Sequence, residues 1–442
     1  MSRSIAKDFR FLSLIRFAFP TMIMMIFMSL YTIVDGIFIS RFVGTDALSA
    51  TNIVYPVMNV VLAVGIMLAT GGSAVVARKI GEGKIQEARE NFTMITIVGA
   101  AAGVVISVVC LIFLEPICRA LGAQPEIMEY CKNYLSVLLL FVPAYMLQLL
   151  FQVFFVTAGK PGMGLILTVL AGVTNGILDY VLIVPAGLGI SGAALATVTG
   201  YLIPAVTGVI YFMTKRNELH FAKFLPDWKM LRESCLNGSS EMVTNLSMGI
   251  VTFLFNILML HYLGGDGVAA ITIVLYTQFL LTALYMGFSM GVAPVISYNY
   301  GSKNTVLLKR IFKICIWFIA VSSLVIFGLS LILSGQLVGI FSPKGTRVYE
   351  IALRGFWLFS INFIFAGTNM FSSALFTALS NGKVSAFISF LRTFGFITLG
   401  LLFLPYLLQA DGVWLAVPFA EFATTIAAVI CMVRKRKVYH YA

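Results

Sequence analysis

Long apolar runs separated by short basic blocks pattern this chain from end to end. The first extends from Leu14 to Ile39, 26 residues, and carries no charge between Phe17 and Ile33. A helix of that length crosses a bilayer with some tilt. Twelve spans follow from the whole pattern: roughly 12–40, 47–77, 91–114, 130–157, 161–184, 190–214, 236–262, 267–298, 308–334, 350–379, 384–408 and 412–433. The runs are continuous rather than alternating, so they predict helices and not barrel strands. Pro20, Pro56, Pro143, Pro204, Pro294 and Pro418 fall inside spans. Each removes a backbone hydrogen bond and provides a place to bend, Pro20 in span one above all.

The polar blocks give the orientation. If the N-terminus is cytoplasmic, 22 of the 30 Lys and Arg residues lie in segments on that side and 6 on the other. Arg16 and Arg392 lie within spans, towards the inner face. This excess places both termini in the cytoplasm. The longest polar connection, about 215–235, contains Pro226, Trp228 and a basic cluster, and reads as a cytoplasmic linker with Phe224 and Trp228 at the headgroups.

The two halves repeat. Phe42-Val-Gly-Thr-Asp-Ala-Leu-Ser-Ala50 matches Tyr262-Leu-Gly-Gly-Asp-Gly-Val-Ala-Ala270, 220 residues on. Gly81 and Gly301 keep that offset, as do Gly192-Ala-Ala-Leu-Ala196 and Gly412-Val-Trp-Leu-Ala416. Six spans per half is an even number, so both halves enter the membrane from the same side. That predicts two six-helix bundles related by a pseudo-two-fold axis along the membrane normal. The expected division is 1–220 for the N-terminal lobe, 221–235 for the linker and 236–442 for the C-terminal lobe.

Composition narrows the class. The chain has 442 residues, 60% of them hydrophobic and 11% charged, with a mean hydropathy of +0.98. That excludes a soluble globular protein. The net charge of +12 sits in short blocks between spans, which is an orientation signal and not a nucleic-acid footprint. The six cysteines show neither metal nor redox spacing and read as small apolar fillers. No cleavable signal peptide is expected. There is no phosphate-binding loop and no HExxH sequence, so neither an enzyme nor a bound cofactor is expected. Work done by such a chain draws on an ion gradient or a partner.

The candidate chemistry lies in four carboxylates within spans: Asp35, Asp179, Glu241 and Glu421. A carboxylate at membrane depth costs roughly 2.5–3.5 kcal/mol at the bilayer centre and less near an interface. None has a lysine three or four residues away. Each therefore pairs across helices, faces water or carries a proton. Asp35 also admits a plainer reading, an interfacial aspartate paired with Arg41. Asn175 and Asp179, four apart, share a helix face. If Asp35 and Asp179 meet, they share a proton, or bind a small cation with the Asn175 amide and the Thr197 hydroxyl. Glu241 is either a wet helix end or part of a cavity or gate, and Glu421 is either structural or cavity-lining. Tyr31, Asn52, Gln148, Gln152, Gln278 and Tyr285 are further lining candidates. Met22, Met24, Met25 and Met28 would suit a pliable pocket for lipophilic cations.

These features resemble the multidrug and toxic compound extrusion (MATE) family, in its bacterial multidrug efflux branch. The likeness covers essentially the whole chain. It rests on Pro20 with Val34-Asp35-Gly36, the Gly44 to Ala50 loop, Asn175-Gly-Ile-Leu-Asp179, Gly192-Ala-Ala-Leu-Ala-Thr197 and Gly291-Val-Ala-Pro294-Val-Ile-Ser-Tyr298-Asn299-Tyr-Gly301. The resemblance implies a monomeric two-lobed antiporter in the bacterial inner membrane, exchanging cationic or lipophilic small molecules for H⁺ or Na⁺. It also implies a coupling site at Asp35, Asn175, Asp179 and Thr197, with no metal beyond Na⁺ there. Other branches carry a carboxylate in span seven, near Glu241. Span ten has no acid here and offers Asn369 instead, which puts a cation site in the C-terminal lobe in doubt. The alternative is a flippase for a lipid or lipid-linked precursor, a class that often carries basic residues in its central cavity.

Overall fold

A computed structural model describes the backbone of residues 4–215 and 217–442; the side chains of residues 4, 32–37, 40, 41 and 45 lie outside the described residues. The described chain is helical throughout. Nine helices are long and apolar enough to cross a membrane, and two bent helix pairs raise the number to 11. One of the nine, Trp228–Gly301, runs for 74 residues and breaks at Gly264, where φ is +68°. Dividing it there gives twelve spans in the expected places. Their outer faces are apolar, as at the exposed Leu402, Phe403, Tyr406 and Leu407. Helices are the form in which every backbone N–H and C=O of such a segment is satisfied internally.

The repeat is written in the backbone. Left-handed residues recur at the 220-residue offset: Gly44 and Gly264, Gly83 and Lys303, Gly189 and Gln409. Short helices at Leu114–Ala120 and Ser334–Gly339 start at the same offset. Spans four and ten, expected as single helices, are each bent. Pro125–Leu140 meets Val142–Thr157 at 56°, and Arg347–Ser360 meets Phe363–Ala378 at 55°. Pro143 explains the first bend, because its ring cannot continue the preceding turn. No proline stands at the second; Asn362 spends its amide on the Phe359 carbonyl at 2.5 Å instead. Span one, by contrast, is α-helical from Phe11 to Phe38 straight through Pro20.

Span seven starts at Trp228, inside the stretch expected as linker. Asp227 sets this start, its carboxylate accepting the Met230 N–H at 2.9 Å. Trp228 and Phe224 are exposed, as suits the headgroup level.

The halves meet through a symmetric glycine seam. A Cβ on Gly71 would strike the Ser234 carbonyl and the Gly238 amide of span seven, and one on Gly291 would strike Thr21 and Ala18 of span one. Gly81 lies against the Tyr298 carbonyl and Gly301 against the Arg78 carbonyl. Span two thus packs on span seven and span one on span eight, the exchange a two-fold relation demands. Arg78 adds charge to the seam. Its guanidinium donates to both Glu233 oxygens, at 2.6 and 3.2 Å, and to Ser380 Oγ at 2.7 Å. Span one joins both halves. Its early residues, Leu14, Ala18 and Met22, belong to the apolar cluster around Phe288 and Phe371. Farther along, Phe27 lies against Gly172 of span five.

Because Gly71 faces backbone, Gly71→Val must force the two halves apart. The expected cost is about 1–3 kcal/mol, read as a lowered melting temperature of the purified protein. Gly249→Ala, with nothing within 4 Å of its new Cβ, is the control and should melt no lower than the parent.

Candidate functional site

In the N-terminal half, spans five (Pro161–Ile183) and six (Gly189–Met213) form a tight hairpin. Gly192 makes this possible, since a Cβ there would be 3.0 Å from the Leu182 backbone. The hairpin carries Asn175 and Asp179 on one face, 5% and 0% exposed. Thr197 stands opposite on span six, with its hydroxyl donated to the Ala193 carbonyl at 3.0 Å. A cavity of about 20 Å³ lies between these helices and span one, lined by Asn175, Thr197, Gln148, Tyr31, Met28 and Tyr201, among others. A water needs about 10–15 Å³ by the same measure, so the space suits one water or one small cation and not a drug. Gln148 is buried, and its Oε1 accepts no hydrogen bond. An amide oxygen, a hydroxyl and a neighbouring carboxylate are the hard donors an alkali cation prefers. Asp35, expected as the second carboxylate, lies outside the described residues, as does Arg41. Gln152 does not line the cavity. It is buried and donates to Thr168 Oγ1 at 3.0 Å.

The C-terminal half gathers a different cluster. Glu421 on span twelve (Ala410–Tyr439) is buried, and its Oε1 accepts from Arg392 Nε at 2.8 Å. Its Oε2 accepts from Asn369 Nδ2 at 2.6 Å, and the same amide also reaches the Glu421 carbonyl at 2.8 Å. Asn369 Oδ1 in turn accepts from the Thr425 hydroxyl at 3.1 Å. The three ends of this network come from spans ten, eleven and twelve. Of the two readings open for Glu421, the ion-paired one holds. Arg392 is no longer a residue near the inner face but the partner of a buried acid. The sequence signal was present, since Arg392 is the basic residue set deepest in a span.

The other candidates disperse. Glu241 lies well inside the helix that begins at Trp228, half-buried, so it is not a fraying end. Gln278 is half-buried on span eight and Asn52 is exposed. Tyr285 is buried in packing, its hydroxyl donating to the Phe363 carbonyl at 3.2 Å, and lines nothing.

A duplicated bundle of transmembrane helices, with carboxylates and amides gathered inside each half, defines a membrane transporter and not an enzyme. The chain belongs to the MatE family, whose model matches residues 20–181 and 242–402, one match in each half. It is therefore a transporter of the multidrug and toxic compound extrusion type. It is 25% identical over 431 residues to the multidrug export protein MepA of Staphylococcus aureus, covering 95% of this chain and 93% of that protein. Its fold matches a MATE family multidrug resistance transporter solved in an outward-facing conformation, with a TM-score of 0.91 at 22% identity over 97% and 96% of the two chains. It also matches a MOP superfamily transporter from Pyrococcus furiosus, with a TM-score of 0.90 at 22% identity over 96% of each chain.

The Glu421 network yields a stability prediction. Asn369→Leu leaves a charged oxygen and a carbonyl without their donor. The expected loss is about 1–3 kcal/mol, measured as a drop in thermal unfolding temperature against Asn369→Gln, which keeps an amide.

Proposed function

We propose that the protein exports cationic or lipophilic small molecules in exchange for H⁺ or Na⁺ by alternating access. Asp35, Asn175, Asp179 and Thr197 form its coupling site. The observation that carries this reading is the water-sized cavity lined by Asn175 and Thr197, one helical turn from the buried Asp179. A site of that size takes the coupling ion and leaves the cargo elsewhere. The export direction draws on the likeness to the staphylococcal exporter.

Occupancy of the site changes the relative stability of the two access states, as alternating access requires. Span one is the connecting part. Its early turns sit in the seam with span eight, and Met28 and Tyr31 reach the cavity. Pro20 stands between them as the bending point. A charged carboxyl pair demands water or a cation; a protonated pair is readily desolvated and lets span one move. The division into lobes 1–220 and 236–442, with linker 221–235, is part of the same proposal. So are a monomeric state, the bacterial cytoplasmic membrane and cytoplasmic termini, with the basic linker on anionic lipid. In that orientation the Gly81–Gly301 seam closes the cytoplasmic entrance. A flippase would need a cation to hold phosphate, and Arg392 is instead bonded to Glu421.

Cysteines placed singly in 78–90, 215–232 and 303–310 should all be labelled from the cytoplasm. Labelling of any of these segments from outside would reverse the orientation. Asp35→Asn and Asp179→Asn should each abolish uphill efflux of an ethidium-type dye while leaving membrane insertion intact. Flux is read in proteoliposomes under separately imposed pH and Na⁺ gradients, which also names the ion. Wild-type uphill transport by Asp179→Asn would remove that residue from coupling.

A further inference from the structure

Within the C-terminal half a fixed cation faces two acids. The Arg392 side chain is 14% exposed and that of Glu421 is 4% exposed, and they meet at 2.8 Å. Asn369 occupies the second Glu421 oxygen, so the carboxylate is held from both sides. Arg392 stands on a π-turn, Leu391–Gly395, in the middle of span eleven. Such a turn widens the helix by one residue and re-aims its side chains, and it occurs often at functional sites. The same guanidinium acts on Glu241, half-buried on span seven. Tyr285, the other ionisable group in the field of Glu421, is tied to the Phe363 carbonyl.

We propose that Arg392 is a tethered counter-ion. It fills the place beside Glu421 that a mobile coupling cation would take, so that the C-terminal half offers Glu241 alone to a cationic cargo. This rests on the reading that the coupling ion binds in the N-terminal half. Two carboxylates and one guanidinium leave a single net negative charge. Without the guanidinium, a buried Glu421 would neutralise itself by taking up a proton or an alkali cation. Arginine keeps its charge at any working pH, so this counter-charge cannot leave as an exchangeable ion can. A buried ion pair by itself argues weakly for stability, because apolar replacements often cost nothing. Its worth here lies in fixing how many cations the transporter can bind.

The test counts ions. Full-length protein in proteoliposomes is poised at increasing cation gradients until net dye flux stops, which gives coupling cations per dye. Arg392→Gln should raise that ratio by one, because Glu421 becomes a second titrating site. Arg392→Met combined with Glu421→Leu removes both charges and should restore the wild-type ratio. An unchanged ratio in Arg392→Gln would overturn the proposal, as would a double variant that shares the raised ratio of the single one. If Arg392→Gln does not fold, Glu421→Gln serves instead. It leaves Arg392 to neutralise Glu241, so equilibrium binding of the cationic dye should weaken at least tenfold with the ratio unchanged. Wild-type dye affinity in that variant would overturn the proposal. Asp179→Asn, run alongside, separates the two readings: uphill efflux surviving there would refute the N-terminal coupling site, whatever the Arg392 variants do.

Discussion

An ionised carboxylate inside an apolar helix bundle must be answered by something. Left alone it costs several kcal/mol or takes up a proton. The two halves of this transporter share one fold and answer differently. The C-terminal half surrounds Glu421 with a guanidinium and an amide from neighbouring spans. The N-terminal half places Asp179 beside a cavity the size of one water, with an amide and a hydroxyl on its wall. One arrangement is complete within the protein, and the other leaves room for something that comes and goes. Duplication supplied two equivalent bundles, and the placement of a single arginine separates their chemistry.

The seam between the halves obeys the opposite rule, because there the symmetry is kept. Gly71 and Gly291 admit the backbone of the opposing half at equivalent points, and Gly81 and Gly301 do the same at the helix ends. Small residues let transmembrane helices approach closely where no hydrophobic driving force separates protein from lipid. Such contacts are made or lost as a set, since a rigid helix pair cannot part at one glycine and stay together at the next. That suits a surface that must open in one step. The Arg78–Glu233 pair is the asymmetric addition: Tyr298 holds the position equivalent to Arg78.

Much of this was legible in the sequence, for physical reasons. Span count follows from bilayer thickness, and orientation from the excess of Lys and Arg. The 220-residue offset survives in glycines because left-handed turns and close backbone approach tolerate little else, as at Gly44 and Gly264. Asn175 and Asp179 fall on one face because they are one turn apart. What stayed hidden depends on contacts between distant helices. Nothing local marks Asn369, Arg392 and Glu421 as neighbours, and a π-turn leaves no pattern in hydrophobic periodicity. The bend at Ile361 was equally silent, having no proline to announce it, although the bend at Phe141 lies 220 residues earlier. Reading the second half through the first would have found it.

Span one explains how such unequal halves could act as one machine. Its early turns are core residues of the C-terminal half, where Leu14 and Ala18 pack near Phe288. Its later turns bring Phe27, Met28 and Tyr31 to spans five and six, against the N-terminal cavity. A change in what that cavity holds therefore reaches a helix already embedded in the other half. No chain of small adjustments is needed, because packed interfaces switch between discrete arrangements and do not deform continuously. Pro20 sits at the join between the two packing environments, in a helix whose hydrogen-bond ladder already lacks one rung there. The helix is unbroken in this state, so the missing bond lowers the cost of a bend without imposing one.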